Sequence, residues 1–244
     1  EVTLDGAGST DPDGDQLAYD WTWNTGSAAG INPKVALPPG KTAVTLTVSD
    51  IAFSASDTVD ITVVDTTPSV ITITQPAADD YCHDATLALG YSVSDLGSGI
   101  KTITPSIDGF TTLAGHGLDN GQPINLLTEM QLGQHSFTVV AVDNANNSAM
   151  QSVTFNIIVT PQSIKNEVSY FANAGLINWK DEVQSLQAKL DAAIKARAAG
   201  NCKAANACYQ LFINEVQAQS GKKIKVKAAE ILIADARYLM THCP

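Results

Sequence analysis

Asp11, Asp13 and Asp15 alternate around Pro12 and Gly14 near the start of this 244-residue chain. Calcium takes about six to eight oxygen ligands, and carboxylates at alternate positions of a glycine turn supply several of them. These three residues are the expected calcium ligands, although the Glu that completes an EF-hand loop is missing. Without an ion the stretch reads as a solvated turn rich in Asp. A second set of donors is crowded into Asp79-Asp80-Tyr81-Cys82-His83-Asp84. A transition-metal site gathers ligands from several elements, and no paired Cys or His at finger spacing stands elsewhere, so a polar loop is expected here. Lys222, Lys223, Lys225 and Lys227 form a basic cluster after Gly221. It is the expected contact for an anionic partner, either a glycan or the acidic part of the same or a neighbouring chain. Cations at a helix start oppose the helix dipole, which favours a partner there over bare solvent.

Catalytic patterns are weaker. His83, His116, His135 and His242 are scattered, and Gly97-Ser98-Gly99 is too short for the elbow that exposes a nucleophilic serine. The chain is therefore expected not to be an enzyme. Tyr19, Trp21 and Trp23 occupy alternate positions and share one face. Such a face can stack sugars, but core is expected, packed with Val44, Leu46, Val59 and Ile61.

The elements that must position these residues are legible from periodicity. Val44, Leu46 and Val48 alternate with threonines, and Val59, Ile61 and Val63 do the same after a break. Period two with β-branched residues marks half-buried strands. Asp65-Thr-Thr-Pro68 is a short boundary, after which candidate strands recur at 70–74, 86–93, 100–107, 136–142 and 152–160. Turns rich in Gly, Asn and Asp separate them. At Pro161 the period changes. Val183, Leu186, Leu190 and Ile194, then Ala205, Cys208, Phe212 and Val216, recur at helical spacing, and 226–241 is apolar throughout. Gly175, Gly200 and Gly221 stand where those helices should end. The fold class expected is multi-domain: two all-β sandwiches over 1–67 and 68–160, followed by an all-α small helical bundle over 161–244.

Charge follows the same division. The chain carries 25 acids and 14 bases, a net charge of −11. The three segments carry net charges of −8, −7 and +4. The first two would repel phosphate, so no nucleic-acid partner is expected. No run approaches the length of a membrane span. The chain opens on a strand pattern at Val2 and Leu4 with no leader and no Met. A longer secreted protein with its targeting signal upstream is expected.

Three resemblances sharpen the picture. Residues 2–15 (VTLDGAGSTDPDGD), Tyr19-Asp-Trp21, Leu37-Pro-Pro-Gly40 and Val44-Thr-Leu-Thr-Val-Ser-Asp50 resemble the PKD (polycystic kidney disease) module, an Ig-like sandwich of bacterial surface proteins. That family's first strand would precede Glu1, and Trp23-Asn-Thr-Gly26 replaces its usual Gly-Asp-Gly turn. The missing strand leaves an edge to which another chain can add a strand. Tyr91–Ile100, Leu132–Phe137 and Val140–Ser148 resemble bacterial Ig-like modules, with Asn146 where Gly is usual. Leu186–Ala193, Gly200-Asn-Cys202, Phe212–Lys222 and Leu232–Tyr238 resemble the FIMAH module, a C-terminal accessory of secreted bacterial proteins.

An extracellular setting makes disulfides expected among Cys82, Cys202, Cys208 and Cys243. Cys202 opens one helix and Cys243 follows the next. A short connection through Gly221 makes these helices antiparallel neighbours, so a Cys202–Cys243 bridge is expected. It would close a loop of about 40 residues and contribute roughly 3–4 kcal/mol. Cys208 reads as a small buried thiol and Cys82 as free, with a Cys82–Cys208 bridge as the alternative. The expected function is a non-catalytic extracellular spacer, adhesion or accessory-binding segment of a larger secreted or cell-surface bacterial protein. Two alternatives remain: a structural subunit of a fibre or surface layer assembled by strand addition at the open N-terminal edge, and a carbohydrate-binding accessory of a secreted hydrolase. Expected partners are neighbouring domains, copies of the same protein or an anionic glycan.

Overall fold

The computed structural model describes residues 1–243. Among the described residues, sixteen strands come first, with one short helix among them, α1 (Leu126–Glu129). Four longer helices follow: α2 (Ser163–Asn173), α3 (Lys180–Ala198), α4 (Cys202–Gln219) and α5 (Val226–Thr241). One four-stranded sheet runs in the order Gly26–Ala29, Ala18–Trp23, Gly40–Ser49, Ser54–Val63. A second runs Ile100–Ile107, Gly133–Asp143, Ser148–Ile158, Asp80–Cys82. Contacts divide the chain into two compact units that interleave in sequence. The first holds Glu1–Val70, Val93–Ile103 and Ala141–Ala149. The second holds Ile71–Ser92, Thr104–Val140 and the residues from Met150 onward.

In the first unit, the register Trp21↔Leu46 and Val44↔Val59 aligns the alternating apolar residues on one face of the antiparallel sheet. A two-residue pairing of Val2–Thr3 with Lys34–Val35 covers part of that face. Leu4, Trp21, Val35 and Val44 form the core, with Leu46 and Ile61 packed beside them. Trp21 Nε1 donates to the Gly30 carbonyl at 2.9 Å, so the indole is buried without an unpaired donor. Val59 departs from expectation. It lies on the apolar face yet is 51% exposed, because Ser54–Val63 is the sheet's edge and residues 51–60 are exposed throughout. Asn146 adopts φ 69°, the left-handed conformation that Asn tolerates.

The second unit corrects the reading of 79–84 as a polar loop. Asp80–Cys82 is a strand, paired in parallel with 156–158 so that Tyr81 faces Ile157. The His83 N–H continues the ladder by donating to the Ile158 carbonyl at 2.9 Å. This edge pairing carries His83 into the interior, while Asp79 and Asp80 stay exposed. The expected strand over 86–93 is interrupted at Leu89. Thr86–Ala88 pairs with Pro123–Asn125, and Gly90–Ser94 forms a separate strand.

The helices of this unit are built as their sequence dictates. Thr160 and Ser163 exchange backbone-to-hydroxyl hydrogen bonds of 2.9 and 3.0 Å, which start α2. Gly200, at φ 71°, closes α3: its N–H donates to the Arg197 carbonyl, and the Asn201 N–H donates to the Ala196 carbonyl. Asn201 then caps α4 by accepting the Ala204 N–H at 3.0 Å. The apolar stripes meet in one core that includes Phe171, Leu186, Leu190, Phe212, Leu232 and Leu239, and Leu127 and Val159 from the β part join it. Cys202 and Cys243 are disulfide-bonded with a Cα separation of 5.9 Å, and Cys82 and Cys208 are thiols. Arg197 adds a second tie, donating to the Leu239 and His242 carbonyls at 3.0 and 2.5 Å. Among the described residues, no helix is long and apolar enough to cross a membrane.

Candidate functional site

Among the described residues, two groups of three side chains each offer one donor atom within 4.8 Å of the others. Neither contains Asp11, Asp13 or Asp15. Asp11 Oδ1 instead accepts the N–H groups of Asp13 and Asp15 at 2.8 and 3.0 Å. The turn is thus stabilised by its own backbone donors, and its carboxylates do not converge.

The first group lies in the second unit and joins His83, Glu167 and Asp235, all buried. His83 follows the strand Asp80–Cys82, Glu167 sits in α2 and Asp235 in α5. His83 Nδ1 meets Asp235 Oδ2 at 2.7 Å, and its Nε2 faces the Met130 carbonyl at 3.4 Å. Both Glu167 carboxylate oxygens and Asp235 Oδ1 are buried without a hydrogen-bond partner. Burial, with the Asp235 carboxylate beside it, pushes Glu167 up to about 11, far above the ordinary carboxylate range. Burial also raises the neighbouring Cys82 thiol, with the Asp84 charge adding to the effect. Such a pocket is closed to substrate. It can hold a proton or a cation and thereby fasten a strand end to two helices.

Sequence reasoning missed this cluster because it weighed His83 with its chain neighbours alone. The signal lay in the helices. Asp235 falls on the same stripe as Ala228, Leu232, Ala236 and Leu239, and Glu167 falls between Ile164, Val168 and Phe171. An acid at a core position of an amphipathic helix must find a buried partner.

The second group, Asp65, Asp95 and Asp143, lies in the first unit. Asp65 accepts the N–H groups of Thr67 and Ser98 at 3.0 and 2.7 Å, which hold its carboxyl below the usual range. Its carboxylate packs against Gly97, where a Cβ would come within 2.3 Å of it. Asp95 accepts from Gly97 and Gly99, and the fully buried Asp143 accepts from the backbone and side chain of Asn147. Each carboxylate is thus occupied by donors from nearby loops.

The remaining sites are dispersed. Lys223 Nζ donates to the buried Glu182 at 3.0 Å and lies 5.9 Å from the centroid of the Trp179 ring. Lys222 and Lys227 Nζ donate to the carbonyls of Ala218 and Thr128, while Lys225 is the N-cap of α5. The cluster is therefore partly spent on its own unit. His135 pairs with Asp108, and His242 stacks on Tyr238. Trp21 is buried while Tyr19 and Trp23 are half-buried, which makes their face core rather than a sugar platform.

Residues 161–241 match the FIMAH domain family. No curated protein matches the chain. Among solved structures, a three-domain fragment of the mouse clustered protocadherin PcdhgC3 (EC1-3) is 18% identical, with a TM-score of 0.30 over 59% of this chain and 55% of that one. The chain thus spans little more than half the length of that fragment. Human protocadherin-24 EC1-2 is 16% identical, with a TM-score of 0.28 over 62% and 86% of the two chains. SGBP-B of the Bacteroides ovatus mixed-linkage glucan utilization locus, solved with a mixed-linkage heptasaccharide, is 11% identical, with a TM-score of 0.24 over 64% and 40%. Likeness at these levels carries no functional weight.

Proposed function

We propose that this chain is a non-catalytic segment of a larger secreted or cell-surface bacterial protein, serving as spacer, adhesion or accessory-binding modules. The observation that carries this is the disulfide-pinned helical bundle. The segment matching FIMAH carries a Cys202–Cys243 bridge, and such bridges persist outside the reducing cytoplasm. In this reading residues 1–67 are a PKD-like sandwich, 68–160 a bacterial Ig-like sandwich and 161–244 the FIMAH-like bundle.

A second reading is favoured by the edge strand Ser54–Val63. It is ten residues long, and the neighbouring Ile51 and Phe53 are 96% and 79% exposed. A long uncovered edge of this kind templates pairing with another chain, which suits a subunit of a fibre or surface layer. Electron micrographs of the native full-length protein separate the two. Discrete particles support the accessory segment. Filaments or lattices of one repeating subunit overturn it in favour of the assembly.

A further inference from the structure

The cluster of His83, Glu167 and Asp235 brings an imidazole and two carboxyl groups together in the core. Three carboxyl oxygens in it, two of Glu167 and one of Asp235, are buried with no partner outside the cluster. We propose that the cluster is a structural site for one divalent transition-metal ion of the zinc class, held by His83 Nδ1, Asp235 and both oxygens of Glu167. Imidazole nitrogen and carboxylate oxygen are zinc's own donors, and the two Glu167 oxygens, joined through one carbon, chelate as one arm of a three-residue site. Two carboxylates balance the charge of the ion, so it enters the core without a net charge to solvate.

The histidine ring is already oriented for this. Its Nε2 faces the Met130 carbonyl, the outer contact that commonly holds a ligating histidine while its other nitrogen meets the metal. One donor atom from each residue lies within 4.8 Å of the others. An ion with bonds of about 2.0–2.2 Å spaces donor atoms from different residues about 3.3–3.6 Å apart, within reach of side-chain rotation. The ligands come from a strand end and two helices far apart in sequence. The ion would therefore clamp α2 and α5 to the end of Asp80–Cys82, in a core whose burial shuts out substrate. This site stands independently of the function proposed above.

The test uses the whole chain carrying Cys82→Ser and Cys208→Ser, so that no thiol competes for metal. After chelation and dialysis it is titrated with Zn2+ alone by calorimetry and followed by thermal unfolding. One ion bound per chain, with a rise in Tm, is expected. Glu167→Gln should bind at least about a hundredfold more weakly, a larger loss than an outer contact gives. Absence of stoichiometric binding by the parent, or equal binding by parent and Glu167→Gln, overturns the site. Should Glu167→Gln fail to fold, Co2+ in the parent decides. Paramagnetic shifts on the His83 ring support the site, and an unshifted His83 ring overturns it.

Discussion

Asp65 shows how a single side chain carries both structure and pH dependence. Backbone N–H groups of Thr67 and Ser98 hold its carboxyl below the usual range, and those of Phe53 and Ala52 do the same for Asp50. A carboxyl with a depressed folded-state pKa binds its proton less tightly when folded than when unfolded. Its contribution is complete above the ordinary carboxylate range and is lost as pH falls through its depressed value. Asp65→Asn should therefore flatten the loss of Tm between about pH 6 and about pH 2.5; equal slopes for wild type and variant would remove Asp65 from the account. The turns holding these acids were legible as Asp-Thr-Thr-Pro and Ser-Asp-Leu-Gly-Ser-Gly. Their convergence was not, because it depends on the fold bringing together residues dozens of positions apart. The same limit hid His83: its pairing with Asp235 spans 152 positions, and only the misfit acid on each helix stripe hinted at it.

At the scale of elements, the helices were readable because each carries its own stop and start. Gly200 and Asn201 end α3 and begin α4 through local hydrogen bonds alone, so no distant contact had to be guessed. Strands were less readable. Asp80–Cys82 is polar and short, and it exists because Asn156–Ile158 offers it a ladder, which composition does not reveal. Two variants test the bundle. Leu190→Ala deletes a fully buried side chain in its core and should cost about 2–5 kcal/mol in chemical denaturation. Arg197→Ala frees the Leu239 and His242 carbonyls and should cost about 1.5–3 kcal/mol, as charge-assisted hydrogen bonds do. Losses under about 0.5 kcal/mol in both would show that the packing described is not what holds the bundle. Circular dichroism of a 161–244 fragment should be helical. Its Tm should fall below that of the bundle in the whole chain, because Leu127 and Val159 no longer cover the core. A β-rich spectrum would contradict the helical assignment.

For the whole molecule, the change from period two to helical spacing at Pro161 is written in the sequence, so the fold class was legible before any contact was known. The two interleaved units were not, since they follow contacts across the strands rather than the order of the segments. The molecule is read as an extracellular segment whose last helix is locked by Cys202–Cys243. That claim is tested most directly on natively produced, full-length protein. Cells and medium are fractionated, free thiols are blocked at once, and the protein is mapped by non-reducing peptide mass spectrometry. The account predicts the protein in the medium or on the cell surface, with the Cys202 and Cys243 peptides joined and Cys82 and Cys208 blocked as free thiols. A cytoplasmic protein, or Cys243 recovered as a free thiol or joined to Cys82, would contradict it.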